Sequence, residues 1–146
     1  MGKYHINITQ SFNAPVSKIF NILTDHQAFG EVTNANIKRV VDSPGENKNG
    51  LGSVRRLSAF PAPAFEETVV VFEPDQLMEY VVSKGSPIKN HKGRLEFSEA
   101  DGKTRLNYTI DFDVRLPFVF IGAVIKSAIE KSIGNGLKRL SERYDV

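Results

Sequence analysis

The sequence predicts an α+β fold: a curved antiparallel sheet with one wet face, its other face covered by a long C-terminal helix. Two patterns carry that reading. Over 104–114, Leu106, Tyr108, Ile110, Phe112 and Val114 fall on one face, and Asn107, Thr109, Asp111 and Asp113 on the other. This is the alternation of a strand with one side against a core. From Phe118 onward, Ile121, Ile125, Ile129, Ile133, Leu137, Leu140 and Tyr144 recur every three or four residues. Lys126, Glu130, Lys131, Lys138, Arg139 and Glu142 fill the opposite side. An apolar helix stripe laid on a concave sheet buries both apolar surfaces.

The remaining elements follow in chain order. Tyr4, Ile6 and Ile8 alternate with His5, Asn7 and Thr9, so a first strand runs over 4–12. Pro15 suits the first turn of a helix, and Val16, Ile19, Phe20 and Leu23 form its stripe, ending near Asp25. A short second helix is expected over 27–30. Strands then follow over 37–41, 53–59, 65–72, 78–83, 92–98 and 104–114, with turn formers between them. Asp101-Gly102 between the last two is a hairpin signal. Gly134 and Gly136 each weaken the last helix by about 1 kcal/mol relative to Ala. They imply either a kink or early end, or a close approach of helix to sheet or space for a ligand.

The totals narrow the function classes. A chain of 146 residues suits one domain, 1–146. With 40% hydrophobic and 25% charged residues it has the composition of a soluble globular protein. Its 19 basic and 17 acidic residues leave a net charge of +2, which gives no strong pull toward nucleic acid or acidic membranes. There is no cysteine, so disulfides, thiolate zinc sites and a cysteine nucleophile are excluded. The N-terminus lacks the apolar stretch of a signal peptide, and Ile6 stands where a myristoylation motif needs Ser or Thr. The near-apolar run 116–125 falls short of the ~18 residues a membrane span needs. A cytoplasmic protein without stable membrane insertion is the expectation; the oligomeric state is left open.

Local stretches resemble the START-like superfamily, also called the SRPBCC or polyketide cyclase/dehydrase and lipid-transport group. Asn13-Ala14-Pro15-Val16-Ser17-Lys18-Ile19-Phe20 looks like its opening step from strand to helix. Gly52-Ser53-Val54-Arg55-Arg56-Leu57 resembles its strand with a G-x-x-R pattern. Glu67, Pro74 and Tyr80 resemble its E…P…Y stretch, and Gly136-Leu137 with Leu140 the end of its last helix. The order and spacing of these motifs over nearly the whole chain carry the likeness; the lack of Trp is a departure. The resemblance implies a helix-grip fold, with seven strands wrapped around the last helix and two short helices after strand 1. It also implies a cavity for a lipid, polyketide or other apolar compound; it does not imply a shared catalytic residue, and no cofactor is expected.

The candidate apolar lining is Val82, Leu95, Phe97, Ile110, Phe112, Ile125, Ile129 and Ile133, each of which also suits plain core packing. By alternation Glu67 groups with Glu73 and faces solvent, whereas the resemblance places it in the pocket. A buried carboxylate can serve as acid or base. Glu66 must point to the opposite face. His91 is in phase with Gly93, Leu95 and Phe97, which puts it at the cavity mouth as an acid/base, or on the rim without a role. Tyr80 and Tyr108 lie on apolar strand faces, where a hydroxyl needs a partner. Arg55 either pairs inward with Glu67 or is solvated. His5 is expected on the wet face and His26 at the surface; three separated histidines make no metal site. Phe60, in Ala59-Phe60-Pro61-Ala62-Pro63, sits near the expected entrance. That loop resembles the gate loop of START-like plant hormone receptors and equally suits a stiff turn.

Two functions compete on this reading. One is binding or carriage of a small hydrophobic molecule. The other is a cyclase or dehydratase in which Glu67 or His91 moves protons and tyrosines hold a carbonyl oxygen. A third class is a structural protein whose core is simply filled.

Overall fold

The computed structural model describes residues 4–59, 62–85, 87–115 and 118–145. Seven strands form one curved antiparallel sheet in the order β1-β7-β6-β5-β4-β3-β2. They are β1 (Tyr4–Phe12), β2 (Asn36–Val41), β3 (Val54–Ala59), β4 (Ala62–Glu73), β5 (Leu77–Lys84), β6 (Ile88–Ala100) and β7 (Lys103–Val114). Helices α1 (Val16–Thr24) and α2 (His26–Thr33) follow β1, and α3 (Gly122–Glu142) closes the chain. This is the helix-grip arrangement.

Each expected element forms, and the differences have local causes. The second helix is longer than the stub at 27–30, because both its ends are capped. Asp25 Oδ1 accepts from Ala28 N at 3.0 Å, and Asn34 terminates the helix in the left-handed region at φ 57°. Strand β6 begins before residue 92. A bulge between Lys89 and Lys92, with Asn90 at φ 51°, interrupts the alternation by which a strand is recognised. The last helix does not start at Phe118: a 3-10 turn over Phe118–Ile121 precedes α3. Asp101 and Gly102 make the β6–β7 turn, both with positive φ.

α3 runs without a break through both of its late glycines. Gly136 lies against the end of α2, where a Cβ would collide with the Val32 carbonyl oxygen. The close approach is thus helix to helix, not helix to sheet. α3 also satisfies carbonyls that the C-terminus of α2 leaves open. Arg139 Nη2 donates to Val32 O at 3.1 Å and Ser132 Oγ to Thr33 O at 2.9 Å. At the other end of the layer, Val16 N at the start of α1 donates to Glu99 Oε1 of β6 at 2.7 Å.

The core lies between the concave face of the sheet and the three helices. Ile6, Ile19, Leu23, Leu95, Leu106, Tyr108 and Phe112 are fully enclosed. Phe20 of α1 meets Phe97 and Phe72 edge-on, at centroid distances of 5.0 and 5.4 Å. Along α3, Ile133, Leu137 and Leu140 are buried, while Ile125 and Ile129 are only partly covered.

Candidate functional site

Across the inner face of β3 to β7 runs a set of polar side chains inside the core. Arg55 on β3 is 1% exposed and stands directly opposite Glu67 on β4 in the strand register. Arg55 Nε donates to Glu67 Oε1 at 2.8 Å, and Nη2 lies 2.8 Å from the same oxygen. Glu67 is buried, whereas Glu73, on the same parity, is exposed. The register of β4 against β5 shifts between Val69 and Val71, and this bulge reverses the facing of residues before and after it. Alternation from Glu73 therefore assigns Glu67 to solvent wrongly, and Glu66 takes the outer face.

Aromatic rings close over the pair. The Arg55 guanidinium carbon lies 4.4 Å from the Tyr80 ring centroid and 4.9 Å from that of Phe29 on α2. Both rings are within cation–π reach of the guanidinium. Tyr80 reaches this position because it pairs with Gly93 on β6, whose missing side chain leaves room for the ring. The hydroxyls of Tyr80 and Tyr108 bond to each other. His91 is buried, its ring centroid 5.4 Å from that of Tyr80. Val82 N donates to His91 Nδ1 at 3.0 Å, so the proton of the neutral ring sits on Nε2, 3.9 Å from Glu67 Oε2.

Burial and neighbouring charge set the protonation states. Burial lowers the pKa of His91, and the opposing pull of Glu67 does not restore it, so the imidazole is neutral at pH 7. Burial works against the charge on Arg55, yet Glu67, Tyr80 and Tyr108 together more than offset it and the guanidinium is held protonated more firmly than usual. Desolvation raises Tyr80 well above the ordinary phenol range and raises Tyr108 as well. Tyr108 is hydrogen-bonded to Arg55 as well as to Tyr80.

The other expected site residues divide into two groups. Leu95, Phe112, Ile110, Phe97 and Ile133 are buried in the core, and Phe112 stacks on Tyr4 at 5.3 Å. Val82, Ile125 and Ile129 are partly buried and pack against that core. Phe60 lies outside the described residues, as do Pro61 and with it the centre of the suggested gate loop. Among these apolar residues a charge pair and three polar rings occupy the middle of the interior. Two concavities stand out on the described surface, and neither lies between sheet and α3. A groove of about 650 Å³ runs between α2 and β2, lined by Gln27, Glu31, Asn34 and Lys38 among others; one of about 370 Å³ lies between the end of α2 and α3.

His26 is a correction. It is not at the surface but 0% exposed, with Nε2 2.9 Å from Ser53 Oγ and Nδ1 without a partner. Burial, with Arg55 and Arg39 nearby, lowers its pKa to about 3. Its position as the first residue of α2 turns it inward to Ser53, which directly precedes β3. Phe29, one turn further along, covers Arg55 in the same way. A period-of-three pattern over 26–33 was the available signal. His5 is exposed, as expected. Among the described residues no three His, Asp or Glu side chains are grouped to hold a metal, and no helix is long and apolar enough to cross a membrane.

The family described as polyketide cyclase/dehydrase and lipid transport matches residues 4–145, and the chain belongs to it. A START superfamily protein from Mycobacterium smegmatis has the same fold at TM-score 0.75, with 16% identity over 96% of each chain. A truncated norcoclaurine synthase from Thalictrum flavum superposes at TM-score 0.69 with 10% identity, over 94% of this chain and 92% of that one. A protein from Mesorhizobium loti does so at 0.69 with 14% identity, over 98% and 100%. At these identities the likeness is one of fold. No curated protein matches the chain.

Proposed function

We propose that this protein binds a small, largely hydrophobic molecule, of lipid or polyketide type, between the concave face of the sheet and the first half of α3. The carrying observation is the uneven covering of the α3 stripe. Ile133, Leu137 and Leu140 are sealed against the core, but Ile125 and Ile129, on the same stripe, are only partly covered, as is Val82 on the sheet. A helix that served only to close the core would bury its whole stripe. Apolar surface left half-wet beside a core is what a ligand would cover. Membership in a family named for polyketide conversion and lipid transport supports the same reading. Native mass spectrometry of freshly purified protein, followed by organic extraction, tests it. One discrete apolar compound near stoichiometric occupancy supports binding. Bare protein that also takes up no apolar probe counts against it.

A second reading, catalysis, rests on His91. Its neutral ring has Nε2 directed at Glu67, an arrangement suited to passing a proton between a base and a bound carbonyl compound. The norcoclaurine synthase of similar fold is known in complex with dopamine and hydroxybenzaldehyde. On this reading Glu67→Gln and His91→Ala each lower turnover of a polyketide-like substrate while the protein stays folded. Unchanged turnover in both removes the assignment.

A further inference from the structure

We propose that the free edge of β2 is a docking site for an extended, acidic peptide segment, which joins the sheet as an eighth strand.

β2 is an end strand of the sheet, paired only with β3. Alternate residues along it therefore turn a backbone N–H and C=O outward with no strand to receive them. Such an edge is a template for a further strand. The groove of about 650 Å³ between α2 and β2 lies along it. One wall is β2 itself over 36–39, about 13 Å of strand. The other wall is Gln27, Glu31 and Asn34, exposed residues on one face of α2. The groove stops where β2 stops being regular: its register against β3 shifts between Arg39 and Val41.

Charge says what the added strand carries. Lys38, Arg56, Glu66 and Lys84 stand in one row across β2 to β5, each opposite the next in register. Arg56 Nη1 lies 3.8 Å from Glu66 Oε2, while among the described residues Lys38 has no ion-pair partner. One carboxylate thus serves three cations, and two adjacent cations end the row at the sheet edge. Opposite charges that face each other across strands are stabilising, and like charges are destabilising. A carboxylate on the next strand, facing Lys38, balances the row. Two residues along on the same face, a β-branched side chain meets Val40, which is 42% exposed. Side chains on the other face of the added strand enter the groove against the Gln27 and Asn34 amides and the Glu31 carboxylate, which hydroxyl groups suit. A second copy of the chain fits worse. Paired through its own β2, it would add its Lys38 and Arg56 to a side already short of carboxylate.

The probes are the blocked pentapeptide Val-Thr-Glu-Thr-Val and its lysine counterpart, Val-Thr-Lys-Thr-Val. Each is titrated into 15N-labelled protein at low ionic strength, where exposed charges are least screened. The glutamate peptide is expected to bind roughly threefold to tenfold tighter, the ratio of an opposite to a like cross-strand pair. On binding, exchange of alternate backbone amides over 36–39 should slow, because new ladder bonds protect them. Amides of β1, the sheet's other end strand, are the control and should not change. Lys38 is exposed, so Lys38→Glu leaves the core intact, and in it the preference should reverse. Equal binding of the two peptides, or an unchanged preference in Lys38→Glu, overturns the acidic assignment. Binding without slowed exchange over 36–39 overturns strand addition. Dimers in sedimentation without peptide, with the same amides protected, overturn the proposal in favour of a second copy. Failure of both peptides to bind at millimolar concentration overturns the site itself.

Discussion

Two corners of the same core are equally closed to water and built from opposite materials. Under α1, Phe20 is 1% exposed and meets the rings of Phe72 and Phe97. Under α2, Arg55 is also 1% exposed and meets a carboxylate and two aromatic rings. The first corner is accounted for by folding alone, since removing such rings from water is favourable. The second is not. Two desolvated charges roughly break even at best against apolar residues of the same volume. A core that needed only stability would repeat the α1 corner under α2. The difference separates the part of the molecule that holds the fold from the part that is kept for something else.

Single truncations in the two corners should be equally damaging for different reasons. Phe20→Ala leaves a cavity and is expected to cost about 3–5 kcal/mol in urea unfolding. Arg55→Met leaves Glu67 buried without its counterion and is expected to cost about 3–5 kcal/mol as well. The comparison breaks on the second substitution. Adding Glu67→Met to Arg55→Met should recover most of the loss, because the pair is removed as a unit. No second truncation near Phe20 should do the same. A double variant as unstable as Arg55→Met alone would mean that the ion pair is there for stability after all.

The apolar corner was legible in the sequence and the polar corner only in part. Phe20 sits on a clean helical stripe and Phe97 on a clean alternation, and such periods survive folding unchanged. Tyr80, Tyr108, His91 and Leu95 follow from alternation in the same way, and each is buried. Glu67 escapes it because a bulge at Val70 resets the phase between it and Glu73. His26 and Phe29 escape it because α2 is too short for its stripe to stand out, and its extent depends on caps at Asp25 and Asn34. That Phe29 and Tyr80 meet at Arg55 has no sequence signal at all. It is a fact about which side chains two strands and one helix bring together.

The joint that holds α2 in place offers a sharper test of the same contrast. Ala at Gly136 would press on the Val32 carbonyl and push α2, which carries Phe29 over Arg55, away from α3. We expect a loss of about 1–3 kcal/mol, together with easier access of a hydrophilic quencher to the tyrosines of the polar corner. Gly134→Ala is the control. Nothing lies near the added methyl, and the helix should gain up to about 1 kcal/mol. If both substitutions behave alike, α2 is not held by close approach at Gly136.

The smallest effect near neutrality separates the corners by their response to acid. His26 titrates near 6.5 when unfolded and at about 3 when folded, because burial and two arginines disfavour its charge; His91 is lowered in the same direction. Between those values the unfolded chain binds more protons than the native one, so stability rises with pH. The contribution is complete above about pH 6.5 and is lost as pH falls toward 3, at no more than about 1.4 kcal/mol per pH unit for each group. Urea unfolding of wild type and His26→Asn at pH 7, 6 and 5 should therefore give a shallower decline for the variant. Phe20→Ala, which alters a corner with nothing to titrate, should lower every value and leave the slope as in wild type. Parallel slopes for His26→Asn and wild type would place His26 in contact with water and remove it from the polar corner.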